Sequence, residues 1–194
     1  TQKITILGHS QGGLVARLAL ARMGPTGGVA RIRLVTVSAP FAGVKAASHC
    51  GYNALHILSL GVTVAVCQII TGSDWVDLHP RSRMVRRPEA LPPLIDEHIT
   101  IVTDERGSCR RRKANGRCAE DDYVFSLGEQ TSALLARDSR TRLIRIVAGH
   151  AAVVGQGGQR PQKLIDVLVR EGILRAVPAK AAHAFHRAVD RIYR

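Results

Sequence analysis

The feature that most constrains the fold is a serine set between glycines near the start of the chain, residues 8–13 with the sequence Gly-His-Ser-Gln-Gly-Gly. A short apolar run, Ile4–Leu7, precedes it, and a helical apolar pattern, Leu14–Met23, follows it. In a Gly-x-Ser-x-Gly turn between a strand and a helix, small glycines tolerate the tight backbone and leave the serine hydroxyl accessible. A further glycine lets the helix pack closely on the strand. The pattern therefore predicts a strand–turn–helix unit that presents Ser10.

The rest of the chain alternates between strand-like and helix-like apolar patterns, which is typical of an α/β protein. Aromatic residues make up only 4% of the chain, which favours a buried parallel sheet covered by helices over a β-sandwich. We expect one α/β domain over residues 1–194, with a mostly parallel sheet and helices on both faces. The predicted strands are Ile32–Val37, Ile99–Thr103 and Leu143–Val147, and the predicted helices are Glu129–Ala136, Gln162–Val169 and Ala181–Tyr193.

Residues 44–95 are longer than a simple crossover and contain an apolar stretch, Ala54–Ile70. Its 17 residues are fewer than the roughly 20 that a membrane-spanning helix needs, and His56, Gly61 and Gln68 interrupt it. We therefore expect no transmembrane segment here. A cap or lid that offers apolar walls to a small molecule and a plain buried helix both stay open.

The formal net charge of +13 comes from 28 Lys and Arg against 15 Asp and Glu. A balance of this kind can indicate nucleic acid or anionic surfaces as partners. The dense run Arg110–Lys113 has no aromatic neighbours for base stacking, and no nucleic-acid-binding module is recognisable, so we expect no nucleic-acid partner. Contact with a lipid interface and a simply solvated arginine-rich surface both stay open.

Four cysteines are spaced along the chain at Cys50, Cys67, Cys109 and Cys118. The last two flank a segment with Asn-Gly at 115–116, a strong tight-turn signal, so a disulfide-closed hairpin is predicted there. Cys50 and Cys67 would then form the second bridge. Reduced thiols in a cytosolic protein are the alternative, and a zinc site is disfavoured because no Cys-x-x-Cys pair exists. We expect an oxidising, secreted setting.

A serine hydroxyl is a weak nucleophile and needs a base within hydrogen-bond reach, oriented in turn by a carboxylate. His150 follows the predicted strand Leu143–Val147 with a glycine directly before it, where a loop could carry an imidazole to Ser10. We therefore predict His150 as the base. His9 more simply shapes the serine turn, and the pair His183 and His186 fits a surface role better than metal binding.

Three aspartates are candidates for the carboxylate, in the order Asp121, Asp122, Asp104. We rank Asp121 first because residues 123–124, Tyr-Val, are expected to be buried and to anchor it against the sheet. Asp104 is ranked third because it leads into residues 105–107, Glu-Arg-Gly, which we expect to be solvated. A surface turn explains the Asp-Asp pair equally well.

The oxyanion formed in acyl transfer needs two backbone N–H donors. Gln11, directly after the serine, would supply one, and the other normally comes from a loop after an early strand. This sequence has only a few residues before the first predicted strand. We therefore expect an N-terminally incomplete chain that is nearly inactive by itself.

These residues together resemble a known group, the secreted serine lipases of the class 2 and lipase B type within the α/β-hydrolases. The likeness extends over residues 3–155. It rests on residues 10–17 (Ser-Gln-Gly-Gly-Leu-Val-Ala-Arg), Arg33-Leu34, Ala39-Pro40 and Gly43, on Gly149-His150, and more loosely on Gln68, Thr71-Gly72-Ser73 and Leu78.

The resemblance implies hydrolysis of carboxylic esters of lipids by a Ser-Asp-His triad, with no cofactor and no metal. The chain departs from the family at Phe41, where these lipases place a histidine after the proline, and at the cysteine hairpin, which splits the region of the acid. Two other classes stay open. One is an acyltransferase or thioesterase with the same triad, and the other is a non-catalytic, hydrolase-like fragment.

Overall fold

The computed structural model describes residues 3–23, 31–45, 75–87, 90–156 and 160–192. The chain divides into two compact units, the first formed by residues 1–102 and 125–145 and the second by 103–124 and 146–194. Cys50, Cys67 and most of the predicted cap at 44–95 lie outside the described residues.

The described strands form a four-stranded sheet and a two-stranded hairpin. They are β1 (Lys3–His9), β2 (Arg31–Val37), β3 (Ile95–Asp104), β4 (Cys109–Arg112), β5 (Cys118–Asp121) and β6 (Thr141–Val147). The larger sheet has the order β1-β2-β3-β6. β1 runs parallel to β2, with Ile6 beside Leu34, and β2 runs parallel to β3, with Val35 beside Ile99. The prediction of an α/β fold with a mostly parallel sheet is confirmed.

The described helices are α1 (Gln11–Met23), α2 (Trp75–Leu78), α3 (Arg83–Arg86), α4 (Ala133–Arg137), α5 (Gln162–Arg170) and α6 (Ala179–Ile192), with a 3₁₀ turn at Ala152–Val154. The helix predicted from Glu129 begins four residues later. The Glu129 carboxylate accepts hydrogen bonds from the backbone N–H and the hydroxyl of Ser126 and from the backbone N–H of Lys45, which is distant in the chain. These bonds hold Glu129 in a turn.

The core of the first unit lies around β2 and β3. Their side chains are buried almost continuously, as expected for strands covered on both faces, and Leu14 of α1 joins them. β1 is the edge strand of the described sheet, and its Ile4 and Leu7 side chains are 42% and 45% exposed. The fully buried apolar residues here include Leu14, Leu34, Val35, Val37, Ile99 and Ile101.

The second unit contains the predicted hairpin. β4 and β5 pair in an antiparallel way, Gly116 takes a left-handed φ of 78°, and a disulfide joins Cys109 to Cys118 across a Cα–Cα distance of 5.8 Å. The predicted disulfide hairpin is therefore confirmed. Helix α5 buries Leu164, Val167 and Leu168 on one face, at the spacing of an amphipathic helix. Within the described ranges, none of the helices is both long and apolar enough to cross a membrane.

Candidate functional site

The turn between β1 and α1 holds Ser10 in a strained conformation. Its φ is 55°, in the left-handed region that a non-glycine residue rarely adopts and that costs roughly 1–3 kcal/mol. The Ser10 N–H donates to the carbonyl of Val37 at 2.9 Å, and its own carbonyl accepts from the N–H of Gly13 at 3.1 Å. The hydrogen bond to Val37, the last residue of β2, therefore holds the serine turn in place.

The glycines around Ser10 are required for close packing at two of three positions. A Cβ on Gly8 would lie 2.7 Å from the carbonyl oxygen of Gly12, and one on Gly13 would lie 2.6 Å from the Cβ of Ala39. Both distances are too short for any side chain. A Cβ on Gly12 would enter open space and would contact none of the described neighbouring side chains or loops. The sequence interpretation, in which the glycines permit tight helix–strand packing, thus applies to Gly8 and Gly13.

The positive end of helix α1 faces the serine turn. Gln11 is the first residue of this helix, and the first N–H groups of an α-helix have no intrahelical acceptor. Those groups, with the helix dipole, favour negative charge at this point. The first turn of α1 contains no acidic side chain that would oppose such a charge. The role of the Gln11 N–H as an oxyanion donor stays a prediction.

The loop after β2 contributes a buried aromatic cluster, also in the first unit. The rings of Phe41 and His98 pack edge to face, with 5.7 Å between their centroids. The Arg17 guanidinium carbon lies 5.0 Å from the centroid of the Phe41 ring. His98 is fully buried between the hydroxyls of Thr36 and Thr141. Burial, helped by Arg17, lowers the pKa of His98 to about 4. Phe41 is therefore a packing residue.

His150 lies in the second unit, three residues after β6, and its ring meets a carboxylate that the sequence analysis passed over. The Nδ1 atom of His150 lies 3.0 Å from Oε1 of Glu105. Glu105 is 1% exposed and also accepts hydrogen bonds from the hydroxyl of Thr103 at 2.9 Å and from the backbone N–H of Val124 at 2.6 Å. Glu105 is thus fixed by three contacts and directed at the imidazole.

Asp122, the second-ranked acid, anchors the backbone of the histidine loop. Its fully buried carboxylate accepts from the N–H groups of Ala151 at 3.0 Å and Ala152 at 2.9 Å, and its carbonyl accepts from the N–H of His150 at 2.9 Å. Arg110 adds an ion pair at 3.3 Å. The carboxylate therefore fixes the 3₁₀ turn that follows His150.

The other two predicted acids make local contacts. Asp121 is exposed at the end of the hairpin, and its carboxylate accepts from the N–H of Tyr123 at 3.1 Å. Both carboxylate oxygens of Asp104 bind the guanidinium of Arg106, at 2.7 and 2.6 Å. That pairing raises the pKa of Arg106. Which carboxylate acts in chemistry stays a prediction.

Two burial expectations used to rank the acids are wrong. The Tyr123 side chain, predicted to be buried, is 44% exposed. Glu105 was expected to be solvated, but three hydrogen-bonding groups draw it inside. One sequence signal could have found it: β3 extends to Asp104, so Glu105 is the first residue beyond a strand, where active-site groups of parallel sheets collect.

The remaining histidines singled out by sequence lie in other surroundings. His9 is the last residue of β1, next to Ser10, and is half buried. His183 and His186 are exposed on α6, beside Arg187 and Arg160 respectively. Among the described residues, no three His, Cys, Asp or Glu side chains are grouped so that they could hold a metal ion.

Comparison with known proteins gives a match at the segment that carries Ser10. Residues 1–74 match the family model described as "Putative serine esterase (DUF676)". The matched segment is less than half of the 194 residues. Neither the curated proteins nor the solved structures include a match to this chain. The family match supports a serine esterase-like hydrolase.

Proposed function

We propose that this chain belongs to a serine ester hydrolase, a lipase or carboxylesterase that cleaves lipid esters, in which Ser10 is the nucleophile. The observation that carries the proposal is the left-handed backbone of Ser10 at a strand-to-helix turn. Strained non-glycine residues persist only where the surrounding structure holds them, and they cluster at functional sites. The serine esterase family match covers the same segment.

The chemistry that we infer follows the residues in order. His150 takes the hydroxyl proton of Ser10 as the serine oxygen attacks the ester carbonyl, and the Gln11 N–H donates to the oxyanion. The imidazolium then gives that proton to the departing alcohol, which leaves an acyl group on Ser10. Water, activated by the same imidazole, releases the acid and restores the serine. The step needs no cofactor or metal.

Glu105 is our proposed acid, in preference to Asp121, Asp122 and Asp104. A carboxylate at Nδ1 holds the imidazole in the tautomer whose Nε2 can accept a proton, and it stabilises the imidazolium. The contact between His150 and Glu105 supports this choice. Glutamate serves this role in some α/β-hydrolases. Asp122 supports the same histidine through the loop backbone.

A lipid ester substrate and a secreted setting are also part of the proposal. The Cys109–Cys118 disulfide supports an oxidising compartment, since disulfides rarely persist in the cytosol. The choice between water and another acyl acceptor depends on which nucleophile reaches the acyl-serine. Supplying an alcohol or a thiol and identifying the products would separate a hydrolase from an acyltransferase or thioesterase.

The tests, on separate samples, are covalent labelling of Ser10 by a fluorophosphonate probe and hydrolysis of a p-nitrophenyl ester. Ser10→Ala should abolish both signals. Ser38→Ala is the matched control, because Ser38 also directly follows a strand, has a left-handed φ of 47° and is fully buried. Equal labelling of Ser10→Ala and the native chain would refute the proposal, and so would labelling lost only in Ser38→Ala.

A further inference from the structure

An open groove rimmed by arginines runs between α1 and residues 81–87 in the first unit. Its volume is about 700 Å³, which lies within the usual range of ligand-binding pockets. Leu18 and Ala21 of α1 supply apolar surface. Five of the eight lining residues are arginines, namely Arg22, Arg81, Arg83, Arg86 and Arg87.

A buried cation holds the two sides of the groove together. The Arg17 guanidinium donates from Nη2 to the carbonyls of Met84 at 3.3 Å and Val85 at 2.9 Å, and so ties α3 to α1. Ser82 caps α3 by accepting from the N–H of Val85 at 3.2 Å. Burial lowers the pKa of Arg17 to about 10, which still leaves it charged at neutral pH. The rim arginines therefore stand on a fixed backbone.

Four of the five groove arginines have no acidic partner among the described residues. Within the described ranges, Arg22, Arg81, Arg83 and Arg86 form no ion pair with an acidic side chain. The basic hairpin differs, since there Arg110 pairs with Glu120 and Asp122, and Arg111 with Glu120. Like charges gathered at one groove repel one another, and a bound anion would relieve that repulsion.

The chemistry of the groove selects the anion. Guanidinium groups match phosphate oxygens in bidentate pairs, and they do so better than a point charge would. The apolar floor extends along the helix, because exposed Val15 shares a face of α1 with Leu18 and Arg22 at positions i, i+3 and i+7. A phospholipid combines an anionic phosphate, which would contact the arginines, with adjoining apolar groups, which would contact the apolar floor. Free phosphate would use the arginines alone.

We propose that this groove binds the phosphate headgroups of an anionic lipid surface. The binding is independent of the ester chemistry at Ser10, so it goes beyond the proposed function and is tested without any turnover measurement. Each arginine near an anionic membrane contributes about fivefold to partitioning. Removing two of them should therefore weaken binding about 25-fold.

The experiment measures co-sedimentation of the chain with vesicles of phosphatidylcholine, with and without phosphatidylglycerol. The test variant is Arg83→Gln with Arg86→Gln, which neutralises two rim arginines. The control is Arg137→Gln with Arg175→Gln, two exposed arginines outside the groove that form no ion pair with a described acid. Both variants carry the same net charge, and circular dichroism checks that both fold.

The expected result is binding to the anionic vesicles only, lost about 25-fold in the groove variant and much less in the control. Equal losses in both variants would show that general positive charge is responsible and would overturn the proposal. Equal binding to pure phosphatidylcholine would overturn it as well. Full release by inorganic phosphate at constant ionic strength, or by single-stranded DNA of equal phosphate content, would assign the groove to a soluble anion instead.

Discussion

Replacing Glu105 by Gln tests the inferred acid most directly, because every described contact of this carboxylate is one in which an anion accepts or pairs. Oε1 accepts from the Thr103 hydroxyl and meets Nδ1 of His150, while Oε2 accepts from the N–H of Val124. A glutamine offers one acceptor and one NH₂ donor in the same place. The NH₂ group of the glutamine must therefore point either at the Val124 N–H or at Thr103 and His150.

The contacts around Glu105 indicate which of these two orientations the glutamine amide adopts. The Val124 N–H cannot reverse, so placing the amide NH₂ against it would cost about 1–3 kcal/mol. The alternative turns the NH₂ towards Thr103 and His150, where the hydroxyl can rotate to accept. His150 must then present an unprotonated Nδ1 and carry its proton on Nε2, the tautomer that cannot act as a base. We expect the reactivity of Ser10 to fall about 10³–10⁴-fold, with only a small change in stability.

The assay is the rate of fluorophosphonate labelling of Ser10, with the melting temperature measured on the same samples. Asp121→Asn is the matched control, since Asp121 is an exposed carboxylate of the same unit and should label at the native rate. Asp122→Asn should lower both the labelling rate and the melting temperature, because it loosens the histidine loop. Native labelling in Glu105→Gln, with loss in Asp121→Asn, would refute the reasoning.

Three further predictions follow from described contacts. The pKa of His98 is about 4 in the folded chain and about 6.5 in the unfolded chain, so the unfolded chain binds a proton more readily. The free energy of unfolding should therefore decrease by about 3 kcal/mol in total as the pH is lowered from about 6.5 to about 4. Urea unfolding should show this decrease, and His98→Gln should reduce it. Reducing Cys109–Cys118 should speed hydrogen exchange of the hairpin amides about 100-fold, since closing a loop of this length contributes about 3 kcal/mol; unchanged exchange would contradict this. Gly8→Ala should abolish labelling and lower the melting temperature, whereas Gly12→Ala, at an open position, should retain the fold.

Some features of this chain follow from the sequence alone because their causes are local. The Ser10 turn is specified by glycines within a few residues, and the hairpin is specified by two cysteines and an Asn-Gly step. The strands follow from apolar runs whose period is readable in a short window. In each case the interacting groups are near neighbours along the chain, so spacing is enough to predict their contact.

The candidate acid was not predictable in the same way. Five carboxylates lie near the end of β3 and the end of the hairpin, those of Asp104, Glu105, Glu120, Asp121 and Asp122. Which one meets His150 depends on the path of two loops and on the direction of each side chain. Glu105 is chosen because Thr103 and Val124 both donate to it, and neither bond has a signature in the sequence.

The sequence by itself determined the α/β class, the serine turn and the disulfide hairpin, because the residues that specify each of them are near neighbours in the chain. The tertiary structure decided the partner of His150, the burial of Phe41 against His98, and the arginine groove. Arg110–Lys113 is the densest basic run in the sequence, yet Arg110 and Arg111 pair with Glu120 and Asp122. The groove arginines gather where α1 meets residues 81–87, because Arg17 binds carbonyls of a segment distant in the chain.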